Sequence, residues 1–396
     1  MSKSIKICFW LDIPSHHQTA FMNALYHHPD IDLQVRYRSG YGASRLKQGW
    51  KQLALHEYEM LLPTGSITKN VLDQVLPDWK SRIHVYSFRI YSELPELFAA
   101  EHVPSCHWSE RGGQIVGTVT HFHPFFYNLL MPLYIHIWKR KDIWILRNRI
   151  SMVFAPGKLN QKYFRALGVP AERLKNLYYA VAPIADAVPD QRIASFAHGR
   201  KCFLYIGGLC RRKGIDLLIR AWKKINDPKW CLVLCGYDFT NGKYQKMVQD
   251  SGLQDSVMFY GTCPADQTAS IYHAADVFVL PTRYDGWGMV LQEAASTGLP
   301  LISTNMAGSS EEVITHGKNG FIVPVNSIKE LAKALEYYIK NEDAIPAHGE
   351  YSLNTFNQHF TPEKNVETLI EGISAINCTP NTNNQTAVHS VENLAC

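Results

Sequence analysis

The chain has 396 residues, 46% hydrophobic and 12% aromatic, with 40 Lys and Arg against 35 Asp and Glu, a formal charge of +5. That composition excludes a disordered chain and leaves room for two domains of ordinary size. The small cationic excess suits anionic substrates or a membrane face and is too weak to argue for nucleic acid. Nine scattered cysteines, with no Cys-x-x-Cys pair, read as buried reduced thiols in a reducing compartment. Residues 1–15 have too short an apolar run, and no small-residue cleavage site, for a signal peptide. No run of about eighteen apolar residues occurs, so the expectation is a cytoplasmic enzyme.

Residues 5–11 (IKICFWL) read as a buried first strand, followed by Ser15-His16-His17 and a helix over 19–26. In a doubly wound sheet the loop after the first strand lies at the carboxyl edge, where ligands bind, which makes His16 a candidate acceptor contact. Residues 31–37 alternate like a second strand; Asp30 and Asp32 open it instead of ending it and read as a turn. Residues 45–50 and the aromatic stretch to Pro63 read as a loop reaching over a cleft. Strands are expected at 83–88 and 103–108, with a short helix between. The second ends in His107-Trp108-Ser109-Glu110-Arg111-Gly112-Gly113, the chemistry expected of a cleft-facing site; the plainer alternative is that Glu110 caps a helix. His121 and His123 form a lone His-x-His, more often structural or substrate-facing than metal-binding. Over 134–150, aromatic residues alternate with Lys139, Arg140, Lys141, Arg147 and Arg149 against one acid, Asp142. Such a segment lies on an anionic membrane or meets a lipid-linked pyrophosphate acceptor; alternatively it is a cover helix with snorkelling cations. A strand at 151–156, a helix at 157–167 and a short strand at 177–180 precede a polar hinge.

In the second half, a strand at 202–206 meets Gly207-Gly208-Leu209-Cys210-Arg211-Arg212-Lys213-Gly214. A helix follows in which Ile215, Leu218, Trp222 and Ile225 recur at helical spacing. Three cations beside a glycine turn can clamp a diphosphate, because a leaving group's charge must be neutralised. The turn lacks Gly-x-Gly-x-x-Gly, which excludes a dinucleotide dehydrogenase. A strand at 230–235 ends at Gly236, another at 257–260 leads to Thr262, and a short helix at 271–275 precedes a buried strand at 276–280. Then comes PTRYDGWGMVLQEAASTGLP, residues 281–300: a loop with Gly286 and Gly288, then a helix over 289–297 stopped by Gly298. A helix N-terminus offers unpaired backbone N–H groups to an anion. Asp285 before the loop and Glu293 inside the helix can grip two parts of one ligand with its phosphate between them. The alternative is that Asp285 only caps the helix and Glu293 is solvated.

An acid, a Gly-aromatic-Gly turn, a Glu eight positions on and then Gly-x-Pro resemble the donor-site signature of glycosyltransferase family 4, retaining enzymes of the GT-B fold. The likeness is dense from Cys202 to about Ile339 and loose before it. It implies two doubly wound α/β Rossmann-like domains facing across a cleft: an acceptor domain over 1–183, a hinge over 184–200 and a nucleotide-sugar domain over 201–345. Closing helices over 346–375 would pack back on the first domain, ahead of a disordered tail over 376–396. It further implies transfer of a sugar from a UDP- or GDP-sugar to a hydroxyl of a glycan or lipid-linked acceptor, in surface polysaccharide or glycoconjugate biosynthesis, without a metal or other cofactor. Donor contacts would come from Gly207, Gly208, Arg212, Lys213, Gly236 and Thr262, and from Asp285, Gly286, Trp287, Gly288, Met289, Val290 and Glu293. Asp285 would hold sugar hydroxyls and Glu293 the ribose. Glu110, backed by His107, would stand where much of the family has a His beside the donor sugar. The family's phosphate-gripping Arg is Gly208 here, so Arg212 or Arg211 would compensate, or Lys213 would act alone. An inactive binding module, or an epimerase or phosphorylase on the same fold, are the competing readings.

Overall fold

A computed structural model describes residues 5–42, 45–46, 54–112, 114–119, 124–264 and 267–378. His121 and His123, residues 47–53 of the expected cleft loop and the tail from 379 lie outside them. The first sheet holds β1 (Ile5–Leu11), β2 (Ile31–Tyr37), β3 (Glu59–Leu61), β4 (Ile83–Tyr86), β5 (Ser105–Trp108), β6 (Met152–Phe154) and β7 (Leu174–Lys175). Their spatial order is β3-β2-β1-β4-β5-β6-β7, and every pairing is parallel. The second holds β8 (Lys201–Ile206), β9 (Trp230–Cys235), β10 (Val257–Gly261), β11 (Val277–Leu280), β12 (Leu301–Thr304) and β13 (Gly320–Val323). Its order is β10-β9-β8-β11-β12-β13, again parallel throughout.

The unbroken apolar runs are explained by cover on both faces. Along β1, Ile7, Phe9 and Leu11 enter one core while Cys8 and Trp10 enter the other, on the opposite face of the sheet. The second domain has one extensive core, from Phe203 and Trp222 to Leu335 and Phe356. Cys8, Cys106, Cys202, Cys210, Cys231, Cys235 and Cys263 are free thiols, all buried except Cys210 and Cys263.

In each sheet the strand order reverses once, between β1 and β4 and between β8 and β11. These are the switch points at whose carboxyl ends open α/β sheets bind ligands. The short strand expected at 177–180 is absent, and pairing ends earlier, at β7. Those residues instead join the domains: Leu177 and Ala180 stay in the first core, and Tyr178 stacks on Trp287 of the second domain at 5.4 Å between ring centroids. The later part of the expected hinge is a helix, Gln191–Ala197, capped by Asp190 and held in the second core through Ile193 and Ala197. Of the 346–375 stretch expected on the first domain, the helix Ala344–His359 packs against the helix Met289–Ser296 of the second. The crossing is made by Pro362–Cys378, whose Val366, Leu369 and Ile373 enter the first core beside Phe154.

Candidate active site

The second-domain half of the site is built from two loops strapped together. After β8 the chain turns through Arg211–Lys213, and after β11 through residues 281–288. The backbone N–H of Arg283 donates to Arg212 O at 2.7 Å, and Thr282 Oγ1 reaches the same carbonyl at 3.2 Å. The buried Arg283 guanidinium then grips Asp216 through both ends, at 2.6 and 2.7 Å, and donates to Arg211 O at 2.7 Å. Burial pushes the Asp216 carboxyl up, but the bonds from Arg283 outweigh it and hold the group below the usual carboxylate range.

This strapping brings Lys213 Nζ into an ion pair with Asp285 Oδ2 and places Arg212 Nη1 at 4.0 Å from Asp285 Oδ1. Arg212 is further fixed by a 2.8 Å bond to Tyr284 O. Gly208, where the resemblance expects Arg, lies under the ring of Phe239: a Cβ there would sit 2.7 Å from Phe239 Cε2. Arg212 therefore supplies the second cation beside Asp285.

The helix Met289–Ser296 starts from Gly288, whose φ of +95° turns the chain into it. Gly286 is needed for a different reason: a Cβ there would land on the carboxylate of Glu110, which reaches over from the loop after β5. That contact closes the site across the domains. Burial, followed by the charge of Asp285, pushes the Glu110 carboxyl up to about 7, while Lys213, Arg111 and Arg212 pull the other way. Arg111 spans the gap as well, donating to Met306 O at 2.8 Å, with its guanidinium 4.9 Å over the ring of Tyr284.

Glu110, Lys213, Asp285, Gly288, Met289 and Val290 line one cleft of about 680 Å³, with Ser15, His17, Arg45, Arg89 and Tyr179 from the first domain. Glu293 lies within the second domain's helix, accepts from Tyr272 Oη at 2.7 Å and stands 3.5 Å from His17 Nδ1. Burial pushes its carboxyl up, yet the bonds from His17 and Tyr272 outweigh it and bring the group below its ordinary value. His16 opens the first-domain helix His16–Tyr26 with its ring 3.8 Å from that of His17; burial, then His17, pulls it down to about 4.

One expected contact, His107, sits differently. His107 is fully buried on the face of β5 opposite Trp108, its ring between Phe88 and Phe164, with Ser109 Oγ at 2.8 Å from Nε2. It belongs to the core behind Glu110 because strand alternation sends His107 and Trp108 to opposite faces. The Trp287 indole is buried against Tyr178 and Tyr179, at the joint between the domains, while its backbone, the part the resemblance brings to the donor, stays in the loop. Thr262 is exposed beyond β10. Gly207 and Gly236 sit at the ends of β8 and β9, where a Cβ on Gly236 would strike Gly207 O. Sequence reasoning missed the Arg283–Asp216 brace and the Glu312 carboxylate, which accepts from Lys158 N at 2.7 Å and Tyr178 Oη at 2.7 Å across the domain joint. Opposite charges at 216 and 283, flanking two site motifs, were the available signal for the first.

Residues 189–355 match the family model described as "Glycosyl transferases group 1". The chain is 27% identical over 171 residues to an uncharacterized glycosyltransferase of Haemophilus influenzae, covering 42% of this chain and 47% of that one. It is 29% identical over 155 residues to D-inositol 3-phosphate glycosyltransferase of Corynebacterium kroppenstedtii, covering 37% and 34%. The matches thus span half or less of the length of these curated relatives. Among solved structures, Anabaena Alr3699/HepE in complex with UDP and glucose superposes with a TM-score of 0.71 at 17% identity, over 94% of this chain and 100% of that one. The fold is GT-B. The family match supports a glycosyltransferase, built on the second domain that carries the Lys213 and Asp285 loops.

Two predictions follow from this geometry. Arg283→Met should destabilise the protein by about 3 kcal/mol, because it strands the Asp216 carboxylate without its partner; equilibrium unfolding in urea reads the loss, and a change under about 0.5 kcal/mol would mean the brace is idle. Glu110, raised to about 7 from about 4.3 in an unfolded chain, contributes stability fully present below the lower value and lost as pH rises through the upper one. The thermal midpoint of the wild type should therefore fall relative to Glu110→Gln between pH 5 and pH 8; a constant difference would contradict the shift.

Proposed function

We propose that this chain is a retaining glycosyltransferase that moves a sugar from a UDP- or GDP-sugar to a hydroxyl of a glycan or lipid-linked acceptor, in glycan biosynthesis. The observation that carries the reading is the meeting of Lys213 with Asp285 beside the helix start at Gly288, in one cleft with Glu110. The Anabaena neighbour, whose complex holds UDP and glucose, is in keeping with a nucleotide-sugar donor.

In this mechanism the donor's diphosphate takes Lys213 as its counter-ion, with Arg212 beside it and the first N–H groups of the helix, at Met289 and Val290, donating to its oxygens. These groups do the electrostatic work a metal would otherwise do. Asp285, released from Lys213, receives hydroxyls of the sugar, and Glu293 receives those of the ribose. As the bond from the sugar's anomeric carbon to the phosphate oxygen breaks, an oxocarbenium-like centre forms. The acceptor hydroxyl attacks from the face the phosphate leaves, its oxygen bonds to the anomeric carbon, and its proton passes to the leaving phosphate. Glu110, against Gly286, stands beside the transferred sugar, and its raised pKa keeps part of the population protonated and able to donate a hydrogen bond near neutral pH.

A thermal-shift panel of UDP-, GDP- and ADP-sugars should single out one base. With that donor, Lys213→Ala and Glu293→Ala should each lower turnover by about 100-fold or more while leaving the circular dichroism spectrum unchanged. Unchanged rates in either variant, or a protein that binds nucleotide and transfers nothing to any acceptor, would refute the reading.

A further inference from the structure

The helix Pro124–Trp138 has two apolar faces. Tyr127, Leu130, Met131 and Tyr134 look inward, packing with Val116, Tyr284 and Met306. The other face carries Phe125, Leu129, Leu133 and Ile137, each more than half exposed and spaced by four residues along the helix. Single exposed apolar side chains need no explanation; a stripe of four on one helix does. No Asp, Glu, Lys or Arg occurs in this helix.

What borders the stripe identifies its occupant. The next helix, Arg140–Asn148, exposes Arg140, Lys141, Trp144 and Arg147. Its one acid, Asp142, is turned inward and held by Lys139 at 3.0 Å and Arg89 at 3.5 Å. The surface therefore combines large apolar groups with cations left uncompensated by that helix's own acid, the pattern that suits anionic lipid headgroups over an apolar interior. A second copy of the chain fits it poorly, because a two-fold contact through the same face would bring these cations against each other. No helix among the described residues is long and apolar enough to cross a membrane.

We propose that the outward face of Pro124–Trp138, together with Arg140, Lys141 and Arg147, docks the protein on an anionic lipid surface. The apolar contact falls over 125–137, ahead of much of the 134–150 stretch that composition alone singles out. The inward face of the same helix packs on Tyr284, the residue before Asp285, with the Tyr127 and Tyr284 ring centroids 6.5 Å apart. Docking would thus set the mouth of the cleft beside the membrane, where a lipid-linked acceptor is presented. That last step rests on the glycosyltransferase reading; the docking itself does not.

The test uses the full chain without donor, sedimented with vesicles of equimolar phosphatidylcholine and phosphatidylglycerol and with vesicles of phosphatidylcholine alone. The wild type should favour the anionic vesicles and lose them at high salt. Leu129→Ser/Leu133→Ser/Ile137→Ser should weaken partitioning at least about ten-fold. Arg140→Gln/Lys141→Gln, which leaves the apolar stripe untouched, should weaken it about five-fold per cation. The double variant should keep the wild-type thermal midpoint, so its result stands even if the triple variant unfolds. Wild-type protein that stays in the supernatant with anionic vesicles, or binding insensitive to the double variant, would overturn the proposal. So would a dimer in sedimentation without vesicles that the triple variant dissociates. Because no sugar chemistry enters, failure here would leave the transferase reading standing, and the reverse also holds.

Discussion

The buried guanidinium of Arg283 governs the second-domain side of the site. By gripping Asp216 and the Arg211 carbonyl it ties the turn after β8 to the loop after β11, so that two stretches about seventy residues apart behave as one surface. The strap joins the 3-10 turn that carries Arg212 and Lys213 to the irregular loop that carries Asp285, which Met306 and Gly308 hold from the other side. A bidentate Arg suits the task better than Lys would, because its planar fork fixes direction as well as charge. The acid it holds stands only three residues beyond Lys213, so a shift in either partner is felt at once in the cleft.

Across the gap, the first domain answers with carboxylate and cation in close order. Glu110 fills the space that Gly286 leaves open, and Arg111 stands over Tyr284. Two acids, Glu110 and Asp285, thus face one cleft with Lys213 and Arg212 beside them, and Arg45, Arg89 and Arg111 add further positive charge. In the proposed reaction, an anion entering the cleft would displace Asp285 from Lys213 and take over its charge. The same swap would free a carboxylate to receive hydroxyl groups, coupling capture of a phosphate to recognition of what it carries. The joint made by Tyr178, Trp287 and Glu312 ties the two halves together beside this cleft.

Much of this was legible because parallel sheets write themselves plainly: runs such as CFLYI and WCLVLC are buried on both faces, and glycines mark their carboxyl ends. The 281–300 stretch announced its loop and helix through Gly286, Gly288 and Gly298. What could not be read was direction. Periodicity along β5 does not say which face meets the cleft, and so His107 was expected beside Glu110 while the fold turns it into the core. Long-range pairs such as Arg283 with Asp216 leave no local period. Nor does a helix like Pro124–Trp138 reveal from sequence which of its two apolar faces is covered.

The most direct measurement is a structure of the protein with the nucleoside diphosphate it prefers. The diphosphate should lie with an oxygen in hydrogen-bond reach of Lys213 Nζ and others facing the N–H groups of Met289 and Val290, with the Lys213–Asp285 pair opened. A nucleotide bound elsewhere, with that pair still closed, would contradict the central claim that the strapped loops form a diphosphate site.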